Sequence, residues 1–245
     1  MVDQIERAID LVLEQDQNEF LELLKDQHLI GNYTIKPDET VDVDGDVNLF
    51  SMNLTKIPAK FGVVTGFFSC SFNQLASLEG CPKKVEGSFE CHHNQLTSLE
   101  GSPEEVGISF DCNNNLLTSL EGCPKEVGEN FYCHNSNLTS LDGAPEKVKG
   151  YFDCSDNHLT SLEGSPREVG SFFNCTYNQL TSLIGCPKVE GHFYCGDNPV
   201  EFTENDIELA QQGKAPLGLP LSFVLMKNKE KEYGKEKLKL WLKKK

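Results

Sequence analysis

Between Thr65 and Val189 the chain repeats one 21-residue phrase. Cys70, Cys91, Cys112, Cys133, Cys154 and Cys175 each follow the last by 21 positions, and Cys195 follows by 20. Around each stands Phe-x-Cys-x-x-Asn-x-Leu-Thr-Ser-Leu-Glu-Gly-x-Pro-x-x-Val, with few departures. A unit so short buries its apolar face only against its neighbours, so the period means a solenoid. Most columns of the repeat are then scaffold, and information about function is confined to the columns that vary.

The columns predict the coil. Phe89-Glu90-Cys91 alternates inward and outward, as a short parallel strand does. The next column reads Asn73, Asn94, Asn115, Ser136, Asn157, Asn178 and Asn198; a buried amide there can bond the backbone of adjacent coils. Leu96 and Leu99 point inward, Gly101 and Pro103 turn the chain, and Val106 re-enters the core. So short an outer segment, with Gly and Pro in it, predicts turns, extended stretches or 3₁₀ pieces rather than α-helix. A degenerate first unit starts at Asp44, where Val47, Leu49, Leu54 and Ile57 stand 21 residues ahead of Phe68, Cys70, Leu75 and Leu78. A last unit from Glu190 loses register after Pro199-Val200. About eight coils at one strand spacing each would span on the order of 40 Å.

The ends differ. Ile5, Ile9, Val12 and Leu13 form one helical stripe, and Phe20, Leu21, Leu24 and Leu29 another, so two short helices are expected before Gly31-Asn32, covering the first open edge. Residues 33–43 read as extended. Thr203-Glu204-Asn205-Asp206 has the chemistry of a helix start, and Gly213 of a stop. Residues 227–245 carry nine Lys against three acids, with Leu238, Leu240, Trp241 and Leu242. That tail has three open readings: a cover for the last coil, a segment docked on an acidic surface, or a basic segment for nucleic acid or membrane. The expected division is 1–43 as N-terminal helical cap, 44–202 as solenoid, and 203–245 as C-terminal cap and lysine-rich tail.

A formal charge of −16 and a pI near 4.8 argue against nucleic acid or an anionic membrane as partner of the body. Arginine occurs only as Arg7 and Arg167. The N-terminus lacks an apolar signal core, and the longest apolar run, Leu217 to Met226, is too short to span a bilayer. A cytoplasmic protein is expected, in the host cytoplasm if viral. Of ten cysteines, seven share one column, while Cys81, Cys123 and Cys186 share another with Ser102, Ala144 and Ser165. A column accepting Cys, Ser and Ala asks for a small residue, so buried reduced thiols are expected rather than bridges or ligands.

The pattern Val-x-Gly-x-Phe-x-Cys-x-x-Asn-Gln-Leu-Thr-Ser-Leu resembles leucine-rich repeats, above all the short type of bacterial and bacteriophage proteins. The resemblance covers residues 44 to about 202, with Phe and Cys in place of an aliphatic pair and Glu-Gly in place of a proline. It implies a right-handed superhelix with a parallel sheet on a concave face, and a binding rather than catalytic role. The partner would be a host or defence protein, which the chain would sequester.

Strand residues that point away from the core would line that face. They hold Tyr132, Tyr151, Phe172, Tyr194 and Tyr177 beside His92, His134, Asp111 and Asp153. Aromatics flanked by acids, amides and histidines suit a protein partner. Cys91-His92-His93 does not suit a metal, because the thiol and His92 leave opposite faces of a strand. Ser155, His134 and Asp153 share the face, but an open sheet supplies no water-excluding cavity. No catalytic residue, metal, cofactor or small-molecule substrate is therefore expected. The alternative to partner binding is a structural or assembly role using edges or termini, as in a virion component or self-associating scaffold.

Overall fold

The computed structural model describes residues 17–213. The first helical stripe and the lysine-rich tail lie outside them. The chain begins with helix α1 (Gln17–Asp26), whose Phe20, Leu21 and Leu24 are buried. Strands β1 (Ile30–Ile35) and β2 (Val41–Asn48) follow as an antiparallel hairpin. Tyr33 on β1 donates its hydroxyl to Glu22 of α1 and lies beneath the Lys25 ammonium, tying helix to hairpin.

From β2 onward the chain coils, and each turn contributes two short strands rather than the single one expected. One ladder is built on the Phe column: β4 (Phe68–Ser69), β6 (Phe89–Glu90), β8 (Phe110–Asp111), β10 (Phe131–Tyr132), β12 (Phe152–Asp153), β14 (Phe173–Asn174) and β16 (Phe193–Tyr194). The other is built on the Val column: β3 (Phe61–Val64), β5 (Lys84–Val85), β7 (Glu105–Val106), β9 (Glu126–Val127), β11 (Lys147–Val148), β13 (Glu168–Val169) and β15 (Lys188–Val189). Both are parallel throughout and join at β2, whose first half pairs with β3 and second half with β4. The molecule is a parallel β-solenoid of about seven turns; the eight coils counted in the sequence correspond to rungs, β2 included. Elsewhere in the coil are turns and bends, with no helix between α1 and α2 (Glu204–Gln211).

Burial follows the repeat. Phe68, Phe89, Phe110, Phe131, Phe152 and Phe173 are fully buried and form a continuous stack with Phe193, successive centroids lying 5.1–5.6 Å apart. The Asn column performs the expected bridging. Asn94 Nδ2 donates to the carbonyls of Cys70 and Cys91, and its Oδ1 accepts the Leu75 N–H. Ser136 interrupts this ladder, its hydroxyl reaching only the Asn115 N–H. All ten cysteines are free thiols, and burial pushes those of Cys91, Cys112, Cys133, Cys154 and Cys175 well above the usual thiol value. The second small column has a further role: Ser102, Cys123 and Ser165 each donate to the glycine carbonyl of the next coil, Gly122, Gly143 and Gly185.

Glycine allows a close approach at one corner between the two ladders. A Cβ on Gly128 would come within 1.8 Å of the Gly107 carbonyl oxygen, so these two coils approach there through bare backbone, whereas Glu86 and Lys149 hold the same place in the coils on either side. After the coils Thr203 caps α2 by a reciprocal bond with Asp206, and Gly213, at φ 69°, ends it. Its Ala210 is buried, with Phe202 and Ile207 packed on the same core.

Candidate functional site

The outward faces of the two ladders are chemically opposite. On the Val ladder, from β5 to β15, the residue before each Val is charged, and two pairs form across rungs: Lys84 with Glu105 at 3.1 Å, and Lys147 with Glu168. A concavity of about 790 Å³ lies here among Lys84, Glu105, Lys125 and Lys147. Its cations and anions largely answer one another.

The Phe ladder carries no Lys or Arg in any outward column. At its C-terminal end Tyr151 stacks on Phe172 (4.8 Å, 9°), and Phe172 on His192 (5.3 Å, 20°). Tyr194 leans on both Phe172 and His192, at 6.1 and 6.0 Å. Tyr151 and Tyr194 are exposed by 39% and 48%, so the row presents ring faces to solvent instead of filling a core. Parallel in-register strands bring these columns together, because each rung sits directly on the last.

Tyr132 does not join this row. It turns edge-on to His134 at 6.5 Å, half-buried, and burial together with Asp111, Tyr151 and Asp153 raises its hydroxyl above the usual value. Asp111, in the adjacent rung, is also raised: burial is the main cause, opposed by the Asn113 N–H and by His92 and His134. His134 Nδ1 stands 3.9 Å from Asp153 Oδ2, too long for a hydrogen bond. Ser155 donates its hydroxyl to Asp153 at 2.7 Å. The carboxylate thus sits between serine and imidazole, so the hydroxyl is bonded to Asp153 and not to the imidazole that would take its proton in a Ser-His-Asp arrangement.

Tyr177 stands apart from the others and is bonded to Asp197, whose charge raises its hydroxyl. It occupies a left-handed backbone position, φ 53°, shared by its whole column: Phe72, His93, Asn114, Asn135, Asp156 and Asp197. Asn, Asp and His tolerate that conformation; Phe and Tyr are strained in it. His92 groups with neither Asp153 nor His134 but with a second aromatic cluster at the N-terminal end. There Phe72 stacks on His93 at 4.1 Å, with Phe50 5.1 Å and His92 5.3 Å from Phe72. Burial and the neighbouring His92 lower the His93 imidazole's affinity for protons, against the pull of Asp111.

Sequence reading missed Phe50 as a surface residue. The signal was present, since Leu49 aligns with Cys70 and the following residue therefore falls in an outward column. Outward alternation also misjudged exposure: Ser69, Ser71, Asn113 and Ser155 leave the core face yet are buried, because short side chains among larger neighbours are covered. Among the described residues no group of three or more His, Cys, Asp or Glu is placed to hold a metal ion, and no helix is long and apolar enough to cross a membrane. Neither a protein-family model nor a curated protein matches this chain.

Proposed function

We propose that this chain is a non-catalytic protein-binding module, built on coils of the leucine-rich-repeat type, that engages a protein partner through the outward face of its Phe ladder. The observation carrying the reading is the exposed stack of Tyr151, Phe172 and His192 with Tyr194. Rigid rings supply contact area with little loss of side-chain freedom, and an apolar strip on an otherwise polar sheet is stabilised by being covered. Backbone strain supports the same face: Phe72 and Tyr177 sit where Asn would be easier, and strain of that kind concentrates at functional sites. The role would be occlusion or sequestration of the partner, with short helices covering the solenoid ends.

The test compares wild type with Tyr151→Ala/Phe172→Ala/Tyr194→Ala in affinity capture from the native host lysate. The triple variant should melt normally and lose the species that wild type retains. Retention of the same species by a folded triple variant would refute this face as the binding surface.

A further inference from the structure

At the N-terminal end of the same face, Asn48, Ser69 and Glu90 stand on consecutive rungs of one outward column, in register across β2, β4 and β6. With Phe50 and Phe67 they line a cleft of about 220 Å³. The Ser69 hydroxyl is buried and has no hydrogen-bond partner; neither has that of Ser71 on the same strand's continuation. Buried hydroxyls are nearly always bonded, so an orphan beside a cleft points to a missing partner. None of the ion pairs among the described residues involves Glu90, and the next residue of its column is the half-buried Asp111.

We propose that this cleft receives a basic side chain, lysine or arginine, from an extended segment of the protein partner. The proposal rests on the protein-binding reading above and names the chemistry of what that face binds. A cationic head group brings several N–H donors and no acceptor. The cleft offers the complement: a carboxylate at Glu90, hydroxyl lone pairs at Ser69, the second lone pair of the Asn48 amide oxygen, whose first accepts the Phe50 N–H, and two phenyl rings whose faces attract a cation. An anionic side chain would meet Glu90 and Asp111 unscreened. An apolar one would leave the Ser69 hydroxyl unpaired. The absence of Lys and Arg from the outward columns means that nothing on the face competes for the site.

The experiment titrates the full chain into a fluorescein-labelled decapeptide of alternating Lys and Ser, read by anisotropy, with the Glu-Ser decapeptide as counterpart. Wild type should bind the Lys peptide, more weakly as salt rises, and ignore the Glu peptide. Glu90→Gln should lose about tenfold in affinity, as for a charge-assisted contact. Ser69→Ala should lose about threefold while melting no lower than wild type, since it removes an unbonded hydroxyl. Glu100→Gln, which deletes an equal charge from an exposed turn, should change affinity less than about twofold. Equal losses in Glu90→Gln and Glu100→Gln would show mere attraction to net charge and overturn the site, as would no binding of the Lys peptide. If the peptide fails while the triple ring variant still loses its lysate species, the basic-side-chain inference alone falls. If the ring variant keeps its species, the protein-binding reading falls with it.

Discussion

Two ladders run the length of this solenoid, made from the same coils and hydrogen-bonded in the same way, and they have diverged. The Val ladder carries a small inward side chain and an outward column whose charges largely answer each other. The Phe ladder carries the stacked rings and thiols inward, and outward a mixture of rings, imidazoles and carboxylates with no cation. A surface that neutralises itself has little to gain from a partner. One that leaves carboxylates half-buried and rings in water gains when something covers it. The division of labour is therefore between a ladder that closes the coil and a ladder that both fills it and faces outward.

The largest test of that contrast is in the core. Phe152→Ala should destabilise by about 3–5 kcal/mol, and Val148→Ala one corner away by about 2 kcal/mol. Equal losses in urea unfolding would mean that the Phe stack holds no special share of the stability. Next in size is the amide ladder behind the Phe strands. Asn157→Ala strips the Leu138 N–H and the Cys133 carbonyl of their side-chain partner, while the Cys154 carbonyl keeps Asn178, at about 1–3 kcal/mol. The reverse change is more telling: Ser136→Asn should restore the missing bridge and stabilise by about 1 kcal/mol. A lower midpoint for Ser136→Asn would show that the gap has repacked around serine.

How far the sequence carried these conclusions depends on what kind of information each needed. The 21-residue register, the burial of Phe, Leu and Val, the Asn bridges and the helix started by Thr203 are local or periodic, and periodicity survives folding unchanged. The second ladder was hidden because a lone inward Val, close after Gly and Pro, reads as the end of a turn, whereas Phe-x-Cys supplies two inward residues and shows alternation. The left-handed column was masked where Phe72 and Tyr177 replace its better-suited Asn and Asp. Tyr132, His134 and Asp153 were foreseen on one face, yet which ring meets which depends on side-chain direction, which spacing does not encode. Phe50 lies where the repeat is most degenerate, so the column logic was weakest there, and the unbonded state of the Ser69 hydroxyl depends on packing that spacing does not encode.

The thiols divide the ladders again, since all seven cysteines of the strand column belong to the Phe side. Burial raises Cys123 and Cys186 in the turns to about 12, and Cys195 to about 11, from 9.0. Native thiols then hold their protons where unfolded ones lose them. Their contribution is complete below the unfolded value and fades as pH rises through the native values. The urea midpoint should hold between pH 7 and 8.5 and fall steadily above 9. A midpoint flat to pH 10.5 would contradict the burial of these groups.

The smallest effects separate the two outward faces. Lys147→Ala on the Val ladder removes an ion pair whose side chains are 60% and 49% exposed, where solvent screens both charges; no resolvable change in midpoint is expected. Asp111→Asn on the Phe ladder should instead raise the midpoint at pH 7. Its carboxyl is held above the usual range chiefly by burial, so the fold prefers it neutral. That preference is fully expressed below the unfolded carboxylate value and lost as pH rises through the folded one. Asparagine keeps it at neutral pH and can still accept the Asn113 N–H. The advantage of the variant should shrink toward zero near pH 3, where the wild-type carboxyl is protonated as well. An Asp111→Asn protein no more stable than wild type at pH 7 would mean that the Phe ladder's carboxylates are as well accommodated as the Val ladder's ion pairs, and the contrast between the faces would lose its electrostatic half.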